Sequence, residues 1–251
     1  YDQGEQFYYK VDTIYKKKKI PAFVLLGIIS AFMALYFLRI NRWVSSKFSK
    51  YKRSTKIILG GSILGLLVYI FPPLFGEGYS ALTSLLNNDV DVMFENSFFH
   101  PYVDNELTFL MVLVAIVFFK AIATAVTCSS GGVGGTFAPS LFLGGFVGFF
   151  VARIVNLSGL IYVAESNFAL VGMAAVMAGV MHSPLTATFL IAEITGGYAL
   201  FTPLLIATTI AYLVVKPLTK YSIYAAPLAA KGDLTTHNKD KNALNYIDIN
   251  K

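Results

Sequence analysis

The sequence predicts an all-α, polytopic membrane protein in which some helices are broken and span only half the bilayer. Its 251 residues are 56% hydrophobic and only 14% charged, whereas soluble domains carry about 25% charged residues. Several uncharged runs reach the roughly 20 residues that a helix needs to cross a bilayer. Shorter apolar segments, interrupted by glycine and proline, lie between them. Irregular backbone at membrane depth survives only where protein or a polar cavity surrounds it.

Uncharged runs locate the candidate spans, at residues 20–38, 57–75, 121–152 and 194–215. Because proline fits the first turn of a helix, we expect the first helix to follow Pro21 and to run to about Trp43. Pro72 and Pro73 should end the second span. The sequence "GEGY" at residues 76–79 then opens a short amphipathic piece that is too brief to cross a membrane alone.

A third long helix should run from Glu106 to about Thr127, and Lys120 is the one charge inside it. A central lysine costs about 3 kcal/mol on insertion scales. Lys120 should therefore face protein, water or a membrane edge.

The apolar segments after residue 152 are shorter. We expect a loop over residues 153–166 and then two helices, residues 167–181 and 184–195, that are too short to cross a bilayer comfortably. His182 and Ser183 separate them.

The positive charge points to lipid headgroups rather than to nucleic acid. The net charge is +6 and the isoelectric point is near 9.2, but the lysines and arginines lie in short clusters between the apolar runs. Such clusters suit anionic headgroups. Both ends of the first span are basic, so the positive-inside rule leaves the orientation unassigned.

The stretch "SSGGVGGTFAPSLFLGGFVGFF" at residues 129–150 is uncharged yet has four glycines in the five residues before Thr136. If a helix starts at Thr136 or Phe137, its first amides lack intrahelical acceptors and its end carries about half a positive charge. Pro139 fits the first turn. An anion is the natural partner.

The kind of anion follows from the neighbouring residues. A phosphate loop has lysine beside serine or threonine after its last glycine, and here Thr136 is followed by Phe137. A small monovalent anion therefore fits better, and a site without lysine or arginine would let it exchange quickly. The alternative is that the glycines only allow close helix packing.

Four motifs resemble the CLC family of chloride channels and chloride/proton antiporters. "GGTFAPSLF" at residues 134–142 resembles the GGxFxPxL signature, and residues 172–198 resemble the paired short helices. "SIYAAPLAAKG" at residues 222–232 resembles the last membrane segment, and "GEGY" a glycine-rich turn. The resemblance implies one half of a CLC-type inverted repeat.

That likeness also implies a division of the chain and a set of partners. Residues 1–232 would be the C-terminal half of the transmembrane domain, and residues 233–251 a polar cytoplasmic linker or tail. The gating glutamate and serine loop of the family's first half do not occur in this sequence. The implied partners are chloride, the lipid bilayer, an N-terminal half of the same protein and a second copy in a homodimer, and the implied location is the plasma membrane.

The resemblance assigns the anion site to the signature and to one tyrosine. The amides of Thr136 and Phe137 would bind the central anion, and the Tyr224 hydroxyl would face it from the inner side. Tyr221 is the competing match, and Tyr224 could instead be an interface aromatic. The full set of candidate anion-binding residues is Gly134, Gly135, Thr136, Phe137, Ala138, Pro139 and Tyr224.

The family contains both channels and antiporters, and this choice stays open. Glu5 roughly matches the position of the antiporters' inner proton relay, but it could equally be a solvated terminal residue. Cys128 is interpreted as a buried structural thiol, Glu193 as a buried hydrogen-bonding group, and His182 as a residue near a helix cap.

Two other functions, a sodium-coupled carrier and an intramembrane hydrolase, fit the sequence less well than anion transport. A sodium-coupled carrier would show carbonyl-rich unwound sites with nearby carboxylates or hydroxyls for the cation, whereas this glycine loop presents amides before a helix start. An intramembrane hydrolase could use Ser129 or Ser130 with His182, but no third residue is placed to orient the histidine. We expect neither an enzyme nor a cofactor or metal.

Overall fold

The computed structural model describes residues 19–87, 89, 105–195 and 198–231. These residues form α-helices and two short 3-10 helices, at Pro72–Leu74 and Tyr198–Leu200. The α-helices are α1 Ile20–Phe48, α2 Arg53–Ile70, α3 Tyr79–Leu86, α4 Glu106–Ser130, α5 Phe137–Leu157, α6 Glu165–Met181, α7 Pro184–Ile194, α8 Phe201–Leu218 and α9 Ala225–Lys231.

Within the described ranges, five helical segments are long and apolar enough to cross a membrane. They are Ile20–Phe48, Arg53–Ile70, Glu106–Ser130, Phe137–Leu157 and Tyr198–Leu218. Helices α6 and α7 are apolar but shorter. The predicted mixture of full-length and shorter helices is therefore confirmed.

The predicted loop over residues 153–166 is shorter in the structure, where residues 158–164 separate two helices. Helix α5 continues to Leu157, and α6 begins at Glu165. The helix can continue through Arg153 because arginine favours helical backbone. Two carboxylates pair with its guanidinium: Nε lies 2.7 Å from Glu106 Oε1, and Nη1 lies 2.9 Å from Glu165 Oε1. This network ties together the ends of α4, α5 and α6.

Helix α6 lies at the centre of the fold. Every residue from Asn167 to Val180 is buried, which is the pattern of a helix surrounded by others rather than of an amphipathic surface helix. It packs against α1, α5, α7 and α8.

Helices α5 and α6 cross with their backbones in contact. A Cβ atom on Gly148 would overlap the carbonyl oxygen of Phe168, and one on Gly144 would overlap that of Gly172. A Cβ atom on Gly172 would in turn meet the Gly144 carbonyl oxygen. Small residues at such crossings let membrane helices approach closely, so these glycines fix the position of α5 against the core.

We therefore expect Gly148→Ala to destabilise the fold by about 2 kcal/mol or more, because the added methyl group forces the two backbones apart. Thermal unfolding of the purified full-length protein in detergent measures this as a lower midpoint. The matched control is Gly61→Ala on α2, where an added Cβ meets nothing within 4 Å. Equal midpoints for the two variants would contradict the packing argument.

Candidate anion-binding site

The helical structure is interrupted between α4 and α5, as predicted. Helix α4 ends at Ser130, and Gly131 follows in the left-handed conformation with φ of 95°. The amide of Gly132 donates to the carbonyl of Thr127 over 3.1 Å, which closes the end of α4. Helix α5 then begins at Phe137. Gly131 is needed because residues with a Cβ rarely adopt this conformation.

The first turn of α5 leaves its amides free. Thr136 occupies the N-cap position, but its side chain makes no capping hydrogen bond. A threonine there usually accepts from the second or third amide, and the third residue is Pro139, which has none. Among the described residues, no acceptor pairs with the amides of Phe137 or Ala138. These unpaired donors and the helix dipole make an anion-binding end.

The hydroxyl of Thr136 is also without a partner. Its Oγ1 atom is buried and forms no hydrogen bond with the part of the chain that the structure describes. A buried hydroxyl without a partner is uncommon in folded proteins. The start of α5 is thus rich in unsatisfied polar groups.

Close helix packing does not explain the loop glycines. A Cβ on Gly131 meets nothing within 4 Å, and one on Gly135 meets only the adjacent amide of Phe137. Gly132 and Gly134 face Thr127 and Cys128 of the preceding helix rather than a second helix. Among the described residues, these loop glycines do not form a contact between two neighbouring helices, whereas Gly144, Gly148 and Gly172 do.

A cavity of about 670 Å³ opens beside the start of α5. Its walls come from α2, the turn that follows α2, α4, the glycine loop and the first turn of α5. Five of the candidate residues lie on its wall: Gly134, Gly135, Phe137, Ala138 and Pro139. The structure thus brings most of the candidate site to one hollow.

Thr136 and Tyr224 are not among the residues that line this cavity. Tyr224 is 53% exposed and lies just before α9. The neighbouring amide of Ile223 donates to the carbonyl of Val180 over 3.2 Å, which ties this segment to α6. The assignment of the Tyr224 hydroxyl to the anion remains a prediction, and so does the choice of Tyr224 over Tyr221.

Sequence reasoning did not include Lys120 in the site. Lys120 faces protein, as one of the options for it required, and only 2% of it is exposed. It lies on the wall of the same cavity as Phe137. A charge inside an apolar helix was the available signal.

Two structural interpretations of polar residues are wrong. Cys128 is exposed rather than buried, and its thiol donates to the carbonyl of Gly134 over 3.7 Å. Glu193 is exposed near the end of α7 rather than buried. Both side chains are exposed because each lies on a face of its helix that no other described element covers.

His182 caps the end of α6, as expected, and has a left-handed φ of 60°. Its Nε2 lies 3.1 Å from Thr219 Oγ1, and its Nδ1 lies 3.5 Å from Lys216 Nζ. The Ser130 hydroxyl instead donates to its own helix, at Val126. Ser130 and His182 of the hydrolase alternative therefore have other partners.

Glu5, the possible proton relay, lies outside the described residues, as do residues 232–251. Among the described residues, no group of three or more histidine, cysteine, aspartate or glutamate side chains could hold a metal ion.

The sequence of this chain is similar to that of known membrane proteins. The model of the family described as voltage gated chloride channel matches residues 1–216. The chain is 31% identical over 203 residues to the chloride channel protein CLC-e of Arabidopsis thaliana, covering 74% of this chain and 27% of that protein. It is 32% identical over 174 residues to the voltage-gated ClC-type chloride channel ClcB of Escherichia coli, covering 67% and 36%.

Solved structures give the same fold. A slow cyanobacterial Cl⁻/H⁺ antiporter aligns with a TM-score of 0.74 at 26% identity, covering 91% of this chain and 51% of the antiporter chain. A eukaryotic CLC transporter aligns with a TM-score of 0.53 at 20% identity, over 88% and 36%, and shows the fold alone. The chain spans about a third of the curated relatives and half of the antiporter chain.

Because Gly131 has a left-handed backbone conformation, substitutions at this position should lower the stability of the protein. Gly131→Val should lower the free energy of unfolding by about 1–2 kcal/mol, because a branched side chain strains that conformation. Gly131→Asn should cost less, since asparagine tolerates it. Thermal unfolding of the full-length variants measures both, and a valine variant as stable as the asparagine variant would contradict the assignment.

Proposed function

The chain belongs to the voltage-gated chloride channel family, and from this premise we propose that its protein carries chloride, or a similar small monovalent anion, across a membrane. The central site would use the backbone amides of Thr136 and Phe137 at the start of α5. One observation carries the proposal: the amides of Phe137 and Ala138 have no acceptor among the described residues.

The energetics favour a small anion at these amides. Transfer of a bare ion into a low-dielectric medium costs on the order of 20 kcal/mol in the idealised limit. Charge-assisted hydrogen bonds from several amides offset much of this cost. Because the amides carry partial charges only, the ion is held without a salt bridge and can leave again.

Family membership supports anion transport over the rival functions. A sodium-coupled carrier of another class and an intramembrane hydrolase are no longer supported. The five membrane-length segments agree with an integral membrane protein. We propose the plasma membrane as its location.

We further propose that the pore is completed outside these residues. The relatives are much longer than the part that this chain matches. The remaining half of a protein of that length would supply the gating glutamate and the serine loop. Assembly as a homodimer is proposed from the resemblance alone.

The amide site can be tested with bromide, which scatters anomalously and resembles chloride. Crystals of the full-length protein soaked in bromide should show an anomalous peak at the amides of Thr136 and Phe137. Replacing the Phe137 amide by an ester, through incorporation of the matching hydroxy acid, should weaken anion affinity about tenfold, the effect of one lost charge-assisted hydrogen bond.

The matched control is an ester at Leu141, whose position lies one helical turn further inside α5. That ester affects a helical hydrogen bond rather than a free donor, so anion affinity should stay near its normal value. A bromide peak elsewhere, together with equal affinities for the two esters, would overturn the amide site.

Proton-coupled antiport is the second candidate function. The structural match to a Cl⁻/H⁺ antiporter, at 26% identity over 91% of this chain, favours it. In this case Glu5 would relay protons from the inner side.

If the protein is an antiporter, a chloride gradient across liposomes should drive proton movement in a fixed ratio. Glu5→Gln should then abolish proton movement while chloride flux persists, because an amide cannot carry the proton. Glu193→Gln, on an exposed part of α7, is the control and should leave the ratio unchanged. Chloride flux without proton movement in the unmodified protein would favour the channel.

A further inference from the structure

We infer that Lys120 sets the affinity of the anion site through its buried positive charge. This inference rests on the proposed function and adds a residue that the signature motif does not contain. Lys120 lies within α4 and is buried, with only 2% of the residue exposed. A membrane helix rarely keeps a lysine unless it serves a pathway or a partner.

The partners of Lys120 are neutral. Its Nζ atom donates to the carbonyl oxygens of Leu74 and Gly76, over 3.1 and 2.9 Å. The ring of Phe142 lies under it, with its centroid 4.6 Å from Nζ. These contacts make the burial tolerable, but dipoles and a ring face do not cancel a full charge.

The glycine-rich turn is shaped around this lysine. Gly78 has a left-handed φ of 83°, and a Cβ there would lie 3.2 Å from Lys120 Nζ and 2.6 Å from Phe142 Cε2. The absence of a side chain lets the turn close over both groups. The "GEGY" turn therefore packs directly over the buried ammonium group of Lys120.

Among the described residues, no carboxylate forms an ion pair with Lys120. In the described ranges, ion pairs within 4.0 Å involve Arg153 with Glu106 and Glu165. Glu77 also lines the cavity and attracts Lys120 electrostatically, but it is exposed and lies beyond ion-pair distance of Lys120. Water screens an exposed charge more strongly than a buried one, so the buried wall of the cavity is positive.

The charge and the free amides share one cavity. Lys120, Phe137 and Ala138 all line the hollow of about 670 Å³. Across about 10 Å at an effective dielectric constant of about 20, a unit charge changes anion affinity by about tenfold. The amides supply direction, and Lys120 supplies the attraction.

A purely structural role would be to anchor the turn. Neutral hydrogen-bond donors can also hold carbonyl oxygens, so anchoring and charge are separable. Lys120→Gln keeps a donor without the charge, Lys120→Met keeps much of the volume without either, and Lys120→Arg keeps the charge.

The test measures chloride flux into liposomes that contain the full-length protein, over a range of chloride concentrations. Both neutral variants should raise the half-saturating chloride concentration about tenfold, whereas Lys120→Arg should change it less than about threefold. Bromide and nitrate should weaken in parallel with chloride, because a through-space charge acts on all monovalent anions alike. Lys47→Gln, which removes an exposed charge on α1, is the matched control and should leave the concentration unchanged.

The half-saturating concentration is independent of how much protein folds, so a loss of yield does not obscure the result. An unchanged concentration in either neutral variant that folds, or an equal rise in Lys120→Arg, overturns the inference and leaves anion transport standing. Absence of anion flux in the unmodified protein would instead remove the proposed function itself.

Discussion

A helix that begins inside a membrane must satisfy backbone amides that no carbonyl of its own can reach, and the start of α5 is built around this constraint. Gly131 ends the preceding helix, Pro139 removes the third amide, and the Thr136 hydroxyl does not cap the remaining ones. Hydrocarbon cannot hydrogen-bond to these groups. Their partner must therefore come from water, from a polar solute or from segments beyond the described residues.

The rest of the fold holds α5 rigidly while its first turn stays free. Along its middle, Gly144 and Gly148 bring α5 into backbone contact with the fully buried α6. At its far end, Arg153 bonds to carboxylates on α4 and α6, at 2.7 and 2.9 Å. Because both attachments lie away from the first turn, they hold α5 in place while its first amides stay free of structural hydrogen bonds. Packing and site are thus separated along one helix.

Local chemistry predicted the break at Gly131, the end of α2 before Pro72 and the short helices, because glycine and proline act on their own backbone. Long-range pairing was not predictable. Arg153 pairs with Glu106, which lies 47 positions away in the sequence. The partners of Lys120 are backbone carbonyls, which any residue carries, so no sequence pattern marks them. The exposure of Cys128 likewise depends on which helices surround it.

Two kinds of positive potential meet at the cavity, and their difference bears on transport. The dipole of α5 acts over about one turn and points along the helix, whereas the charge of Lys120 acts in all directions. A pathway for ions needs attraction strong enough to admit them and weak enough to release them. The carbonyl oxygens of Leu74 and Gly76 hold the ammonium group in the wall, so it can attract an anion without following it. Attraction and coordination then reside in different groups, and a change in one need not alter the other.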